Sequence, residues 1–337
     1  MKSDMEKGVK KGLPGGVDFG AVLRTYGIVI GLMIIIVAAA VLEPTFLTKN
    51  NVLNILRNMI VTGLSALSMT YVFMLGMMDL SVGSIISLSG VVCVTLANKF
   101  VQTDAQDANT YPIILVAVLL GAVMGAVNGS IITLIKGRLG ASFIITYGTQ
   151  IVFSAIAMLY TGGNFIFGSY YKGTYAAFGK GLLPIWLFLV IAAMMQFILK
   201  STKYGKSISF IGANRDCAYM SGLNVGKYII ITFIVSGICS ALSGFYVTAR
   251  IGSATPIQGN GYELNAIAAC VVGGTSMQGG TGSVINTVIG VLVLTVLNNA
   301  LNVLGIDSNS QLLFRGVIII LSVTLDMFNK KYAVKKG

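Results

Sequence analysis

The chain has 337 residues, of which 55% are hydrophobic and 10% are charged, with a net charge of +12 and a mean hydropathy of +0.85. A soluble domain carries about 25% charged residues, so this composition excludes a protein whose whole surface faces water. The sequence has four scattered cysteines and no histidine, which excludes the residue sets typical of a metal centre or a disulfide framework. The composition therefore predicts an integral membrane protein.

Ten apolar segments are candidates for membrane-spanning helices, because a hydrocarbon core of about 30 Å needs roughly 20 helical residues. The clearest segments are 26–42, 113–135, 182–199, 228–248, 284–304 and 312–327. Weaker segments, richer in Gly, Ser and Thr, are 59–78, 82–98, 142–160 and 262–274. None of them alternates apolar and polar residues as barrel strands do. The prediction is an all-α membrane protein with about ten transmembrane helices.

Lysine and arginine are concentrated in alternate connecting segments. The segments 1–24, 136–138, 200–227 and 330–336 hold 16 of the 23 basic residues. Cytoplasmic loops carry an excess of Lys and Arg, so both termini are predicted to be cytoplasmic. This bias accounts for the net charge without a nucleic-acid partner. The predicted organisation is a tail over 1–24, one transmembrane domain over 25–328 and a tail over 329–337.

The two halves of the domain, 25–180 and 181–328, share a weak internal similarity. At an offset of 170 residues Asn128 aligns with Asn298, and an acidic residue opens a small-residue span in each half, at Asp79 and at Glu263. Five spans per half would place the halves in opposite orientations, an arrangement typical of transporters. We therefore predict two inverted repeats of five helices.

Asp79 and Glu263 each have two interpretations. Charge inside a bilayer is costly, so such residues usually line a cavity or form a pair. Each also stands at the start of a predicted helix, where a carboxylate can accept hydrogen bonds from the first N–H groups. The cap is the favoured interpretation and a role in the path stays open. Further polar candidates for the path or for helix contacts are Ser81, Asn128, Gln150, Asn265 and Asn298.

The centres of the predicted spans hold almost no ionisable side chain. An ion-coupled carrier usually needs a buried relay of Asp, Glu, His or Lys. The sequence therefore argues against ion coupling, which leaves an external energy source or a passive pore.

Residues 273–283 read GGTSMQGGTGS and are dense enough in glycine to suggest a phosphate-binding loop. Such a loop follows a strand and has the pattern GxxxxGK[ST], with a lysine that reaches the phosphates, and this stretch has neither. We predict a flexible connection between helices instead of a nucleotide site. Its glycines are Gly273, Gly274, Gly279, Gly280 and Gly282.

The basic segment 200–227 contains one predicted short helix. Asn214 is a suitable N-cap for a helix over 215–221, and Gly222 is a suitable residue to end it. A short helix in a cytoplasmic loop suits docking into a groove of another protein. It also suits binding to the anionic inner leaflet, and the residues alone leave both possibilities open.

Four stretches occur in an order that resembles a known family: GMMDLSVGS (76–84), IGANRDCAYMSGLNVGK (211–227), ARIGSATPIQGNGYELNAIAACVVGGTSMQGGTGS (249–283) and NNALNVLGI (298–306). Over about residues 45–328 the chain resembles the membrane permease of ABC importers for ribose, galactose and related monosaccharides. It departs from the family pattern at Asn265, where the family commonly has Asp. Met77-Met78 also stands where the family commonly has Gly-Ile or Gly-Thr before the acid. The first departure weakens a sugar-binding role for residue 265.

The resemblance implies a subunit of the bacterial inner membrane that is not itself an enzyme and holds no cofactor. Its implied partners are a second permease copy, an extracytoplasmic sugar-binding protein and cytoplasmic ATPase subunits that carry ATP and Mg. It implies that the loop docks on the ATPase, with Ala218, Tyr219 and Met220 in the packed face and Arg215 and Asp216 as the polar rim. The residues assigned to this coupling loop are Gly212, Asn214, Arg215, Asp216, Ala218, Tyr219, Met220, Ser221 and Gly222. A secondary carrier or facilitative pore for small polar solutes is the alternative, and the motifs do not specify the sugar.

Overall fold

The computed structural model describes residues 19–101, 110–168, 174–307 and, with gaps, 309–324; for 19–29 it describes the backbone alone. Within this part the chain is almost entirely helical. The α-helices are α1 (Phe19–Leu42), α2 (Lys49–Met74), α3 (Val82–Val101), α4 (Thr110–Leu134), α5 (Leu139–Thr161), α6 (Thr174–Lys180), α7 (Leu183–Ser201), α8 (Lys203–Ala213), α9 (Arg215–Met220), α10 (Val225–Ile251), α11 (Tyr262–Val272) and α12 (Val284–Val303).

Seven helices of the described part are long and apolar enough to cross a membrane: α2, α3, α4, α5, α7, α10 and α12. Two further apolar helices are shorter, α11 and the Ile30–Leu42 part of α1. Nine of the predicted spans coincide with helices, and the tenth, 312–327, lies largely outside the described residues. Since α2 ends at Met74, the last four residues of the predicted span 59–78 are not helical. The chain is an all-α integral membrane protein.

The centre of the fold is a close contact between α4 and α10. Gly121, Gly125 and Gly129 recur every four residues along one face of α4, and a Cβ added at any of them would overlap or crowd atoms of α10. On the facing helix, a Cβ at Gly237 would overlap the Gly121 carbonyl. Small residues at this spacing let two helix backbones approach closely in a membrane. Helix α10, from the second half of the chain, therefore packs directly against α4 of the first half.

Five short elements were not predicted. A 3-10 helix covers Pro44–Leu47, α6 precedes α7, and the strands β1 (Ile166–Phe167) and β2 (Ser253–Ala254) pair antiparallel. The fifth is α8, in a stretch that was predicted to be a loop. Ile208 and Ile211, three residues apart, bury one face of this helix. That burial stabilises α8, although the surrounding lysines make the segment resemble an exposed loop in the sequence.

The connecting segments gather at two ends of the bundle. At one end the Gly280 N–H donates to the Met74 carbonyl (3.0 Å), and the Ser209 hydroxyl donates to the Gly280 carbonyl (2.6 Å). This end also holds the turn at 135–138 and helix α9. At the other end the Asn98 amide donates to the Phe167 carbonyl (2.8 Å), next to the β1–β2 pair. The basic segments 136–138 and 200–227 therefore lie together.

Candidate functional site

Two helices, α3 and α11, begin within the bundle instead of at its ends. Asp79, three residues before α3, contacts Ser236, which is eleven residues into α10. At 1.5 Å per residue that is about 16 Å from the end of the bundle where α10 starts. Non-helical segments, 77–81 and 255–261, lead into the two helices. We refer to them as the first and second entry segments.

The two helix starts are neighbours. A Cβ built on Gly259 of the second entry segment would overlap the carbonyl oxygen of Gly83 in the first turn of α3. The Gly259 N–H also donates to the Ser87 hydroxyl at 2.8 Å. Contact this close is possible only because both positions lack a side chain. The N-termini of the two helices therefore meet inside the bundle, as helix N-termini do at the binding sites of some transporters.

Asp79 is fully buried, and both of its carboxylate oxygens accept hydrogen bonds. One oxygen accepts from the Ser81 N–H (3.0 Å) and the Ser81 hydroxyl (2.6 Å), and the other accepts from the Ser236 hydroxyl (2.7 Å). The Asn128 amide of α4 donates to the Ser81 hydroxyl at 2.7 Å. Asp79 thus accepts the backbone N–H of Ser81, the residue immediately before α3. Asp79 thereby joins the first entry segment to α10, and Ser81 joins it to α4.

Glu263, in the first turn of α11, is held less completely. One carboxylate oxygen accepts from the Gly261 N–H (3.2 Å), which is the geometry of a helix cap, and lies 3.5 Å from the Gln150 amide nitrogen. The other oxygen is buried against Gly83 and has no hydrogen-bond partner within the described residues. Burying such an acceptor without a partner is costly. Glu263 therefore retains a hydrogen-bonding capacity that the fold does not use.

The structure brings five of the seven predicted polar residues into these two clusters and leaves two outside. Asn265 and Asn298 are half-buried and belong to neither cluster. The residue after Asn298 is the one that makes a buried contact. Asn299 exchanges two amide hydrogen bonds with Asn51, at 2.8 and 2.9 Å. The buried asparagine of α12 is therefore Asn299, one residue after the Asn298 that the offset of 170 residues suggested.

Three residues near the first entry segment were missed, namely Ser142, Thr146 and Ser236. The Ser142 hydroxyl of α5 accepts from the Met78 N–H (3.1 Å), and the Thr146 hydroxyl accepts from the Leu80 N–H (3.0 Å). The first two stand four residues apart, and this spacing places two hydroxyls on one face of a helix. This four-residue spacing is the sequence signal from which the two hydroxyls could have been predicted. Ser236 lies in a run of serines on α10 that offered no comparable signal.

The glycine-rich loop, predicted to be a flexible connection between helices, is packed against Met74 and Gly212. A Cβ on Gly212 would overlap the Met74 carbonyl and would lie 2.7 Å from the Gly280 nitrogen. Gly279 has a φ of +97°, which other residues rarely adopt. Of the other three, Gly274 also has a positive φ, while Gly273 and Gly282 pack against neighbouring residues of the chain. The glycines allow three backbone segments to meet at this end of the bundle.

Helix α9 has the local structure that the sequence predicted. The Asn214 side chain accepts from the Cys217 N–H at 3.0 Å, and Gly222 ends the helix with a φ of +80°. The Leu223 N–H donates to the Ala218 carbonyl (3.2 Å) and the Gly222 N–H to the Tyr219 carbonyl (3.0 Å). These bonds form the pattern that closes a helix with a left-handed glycine. The N-cap and the terminating glycine are confirmed, and the helix ends at Met220, one residue before the predicted end.

The face assigned to α9 needs correction. Ala218 is fully buried against its own chain, so it is not available to a partner. Tyr219 and Met220 are 74% and 87% exposed and are the apolar side chains that the helix presents. Arg215 donates to the Gly137 carbonyl, and burial, followed by the charge of Arg138, lowers the pKa of its guanidinium. The predicted rim residues are thus bonded within the chain, as is Ser221, whose hydroxyl donates to the Cys217 carbonyl.

Comparison with known proteins places these features in a family. Residues 51–323 match the family described as branched-chain amino acid transport system / permease component. The chain is 37% identical over 306 residues to the ribose import permease protein RbsC of Haemophilus influenzae, covering 89% of this chain and 92% of that protein. It is 36% identical to RbsC of Escherichia coli K12, covering 90% and 92%. It is 35% identical to the galactose/methyl galactoside import permease protein MglC of the same organism, covering 95% and 98%. No solved structure matches the chain.

Proposed function

The chain belongs to the branched-chain amino acid transport system / permease component family, and on this premise we propose how it moves its substrate. It is the translocating subunit of an ABC sugar importer, a multi-pass protein of the inner membrane. The observation that carries this conclusion is similarity to sugar permeases along about nine-tenths of the chain. Because these relatives are named for ribose and for galactose, the proposed cargo is a monosaccharide.

A permease of this family implies two kinds of partner, an ATPase and a substrate-binding protein. We propose that ATP and Mg are bound and hydrolysed on a separate cytoplasmic ATPase. The sequence supports this because it contains no GxxxxGK[ST] motif. The sugar-binding protein would deliver its ligand at the opposite face of the membrane. This chain would then convert closure of the ATPase into opening and closing of a path.

The proposed architecture has ten spans in two inverted repeats, with both termini in the cytoplasm. The packing supports a repeat: α10 contacts α2, α3 and α4, while α2 contacts α10, α11 and α12. The helices that begin within the bundle, α3 and α11, occupy equivalent places in the two sets. The basic segments at one end support the orientation. Labelling of the exposed Cys217 from the cytoplasmic side alone would agree with it, and labelling from outside would contradict it.

A pair of these chains is the proposed transporting unit. On α5, Gly140 and Gly148 have no atom within 4 Å of an added Cβ among the described residues. Small residues on an open helix face permit close contact with another helix in the membrane. Gln150 is half-exposed on the same helix, and Leu264 of α11 is exposed. Pairing through this surface would bring the N-terminus of α11 in each copy toward a shared path.

Along that path we propose different roles for the polar candidates. Gln150 and Glu263 stand where α11 begins, half-exposed or with an unused acceptor, and suit contact with sugar hydroxyls. Asp79 and Ser81 are fully buried and bonded to one another or to α10, and suit a structural role. Asn128 donates to Ser81, but its side-chain carbonyl oxygen has no partner among the described residues, so it stays a candidate for the path. Asn265 and Asn298 are half-buried and remain candidates for the lining of the path.

Coupling to the ATPase is proposed to occur through α9. Tyr219 and Met220 project from a helix with two fixed ends and would enter a groove of the ATPase. Aromatic anchors of such small contacts contribute about 2 kcal/mol or more, which is a roughly 30-fold change in affinity. Proline cannot adopt the positive φ of Gly222. Both Tyr219→Ala and Gly222→Pro are therefore expected to abolish sugar uptake while the permease stays inserted.

The experiment reconstitutes the permease with its ATPase and binding protein in vesicles and measures uptake of radiolabelled ribose and galactose. Recovery of the ATPase on the tagged permease is measured at equal expression. Tyr160→Ala, an equally simple removal of an exposed aromatic ring at the other end of the bundle, is the matched control and should retain uptake. Normal uptake and normal ATPase recovery in both α9 variants would show that α9 does not couple the subunits.

A further inference from the structure

The turn between α4 and α5 holds the first turn of α9. The Arg138 guanidinium donates to both carboxylate oxygens of Asp216, at 2.8 and 3.0 Å. In the reverse direction, Arg215 donates to the Gly137 carbonyl. Lys136 has a φ of +51°, and among the described residues it is the only one besides glycines with a positive φ. The turn is thus bent in the left-handed conformation where it meets α9.

These contacts contribute little to the stability of the protein. The side chains of Arg138 and Asp216 are 70% and 71% exposed, and ion pairs of this kind typically contribute no more than about 1 kcal/mol. Both hydrogen bonds leave one guanidinium nitrogen, Nη2, and together with the bond from Arg215 to the Gly137 carbonyl they link α9 to the turn in both directions. The arrangement therefore orients α9 more than it stabilises it.

Helix α5 continues directly from this contact to the first entry segment. Arg138 is the residue immediately before α5, and Ser142 and Thr146 follow on the first and second turns. Their hydroxyls accept the N–H groups of Met78 and Leu80, the two neighbours of Asp79. A displacement at the start of α5 is thus passed by two hydrogen bonds to the segment that leads into α3.

We propose that Arg138 is a positioning residue for energy coupling, which holds α9 to the start of α5 so that movement of α9 displaces the first entry segment. This inference rests on the proposed docking of α9 on the ATPase. Arg138 itself touches neither the sugar nor ATP. Its loss should leave binding of the ATPase intact and separate ATP hydrolysis from transport.

A charge exchange between the two residues tests the inference. Arg138→Asp and Asp216→Arg are each expected to lower sugar uptake per ATP hydrolysed by about tenfold, a common size for coupling between sites. The double variant restores the ion pair in reverse and should return the ratio to within about twofold of wild type. Arg138→Lys keeps the positive charge and a nitrogen donor for Asp216, so it should retain most of the coupling.

Arg138→Gln is compared with a matched control, Lys136→Gln. Each variant removes one positive charge from the turn between α4 and α5. The ratio of uptake to hydrolysis should fall only in Arg138→Gln, with normal ATPase recovery in both. An unchanged ratio in Arg138→Gln, or a double variant no better than the singles, would overturn the inference. Failure of the proposed docking is distinguishable, because Tyr219→Ala would then also retain normal uptake and ATPase recovery.

Discussion

The two entry segments have the same architecture and different bonding. Each leads into a helix that begins within the bundle, and each has an acidic residue near the helix start. At the first, both carboxylate oxygens of Asp79 accept hydrogen bonds, one from Ser81 and the other from Ser236. At the second, Glu263 caps its helix with one oxygen and leaves the other without a partner in the part of the chain described. Equivalent positions in the two halves thus differ in how firmly they are held.

This difference predicts a structural role for Asp79 and a role in transport for Glu263. Asp79 and Ser81 bond to residues from α10 and α4, so the first helix start is fixed to the centre of the bundle. The second start is held by the contact between Gly83 and Gly259 and by the bond from the Gly259 N–H to Ser87, while one oxygen of Glu263 has no partner among the described residues. We therefore expect changes at the first segment to alter stability, and changes at the second to alter transport.

The largest effect is expected where the two segments touch. In Gly259→Ala the new methyl group would overlap the Gly83 carbonyl, so the second entry segment must move away from α3. Overpacking of this kind costs about 3 kcal/mol or more, and uptake should be lost. Thermal melting in detergent and uptake in vesicles measure the two consequences. Gly31→Ala is the control, because an added Cβ there meets no atom within 4 Å among the described residues. Equal melting of the two variants would contradict the close contact.

A smaller effect is expected at the first segment. Asp79→Ala leaves the Ser81 and Ser236 donors without their buried acceptor, which costs about 2 kcal/mol. Asp79→Asn keeps an oxygen for Ser81 and should retain most of the melting temperature. The comparison of melting temperatures for these two variants measures the value of the hydrogen bonds. If Asp79→Ala melts like wild type and instead slows uptake, the assignment of a structural task to this residue is wrong.

The smallest effect on stability is expected at Glu263. Glu263→Gln keeps the oxygen that caps α11 and changes the one that has no partner, so the free energy of unfolding should change by less than about 0.5 kcal/mol. Uptake of sugar should nevertheless fall several-fold, because the acceptor offered to a hydroxyl group is replaced by a donor. Gln150→Leu is expected to act in the same direction. Full uptake by Glu263→Gln would leave this residue as a helix cap alone.

Long apolar runs made most of the helices predictable, and the caps of α9 were predictable because Asn214 and Gly222 have strong local preferences. The whole of α8 was missed because its two buried isoleucines stand among residues whose charge suggested an exposed loop. The choice between Asn298 and Asn299 depended on the rotation of one helix by about 100°, which a weak repeat does not determine.

The bonding of the two acids could not be predicted for a different reason. Whether Asp79 is fully bonded depends on Ser236, which is 157 residues away in the sequence. Whether Glu263 is covered depends on Gly83 and Gln150, which lie in the other half. Local patterns identify a residue able to cap a helix, and only the packing of distant segments decides what else reaches it.

The insertion of α10 among helices of the first half has a consequence for the biosynthesis of the protein. A ribosome adds about 5–20 residues per second, so Ser236 follows Asp79 by roughly 8–30 s. During that interval α2, α3 and α4 lack the helix that fills the space between them, and an acidic side chain has no α10 partner. We therefore expect the first helices to complete their packing only after α10 arrives, so that the two halves assemble in one late event.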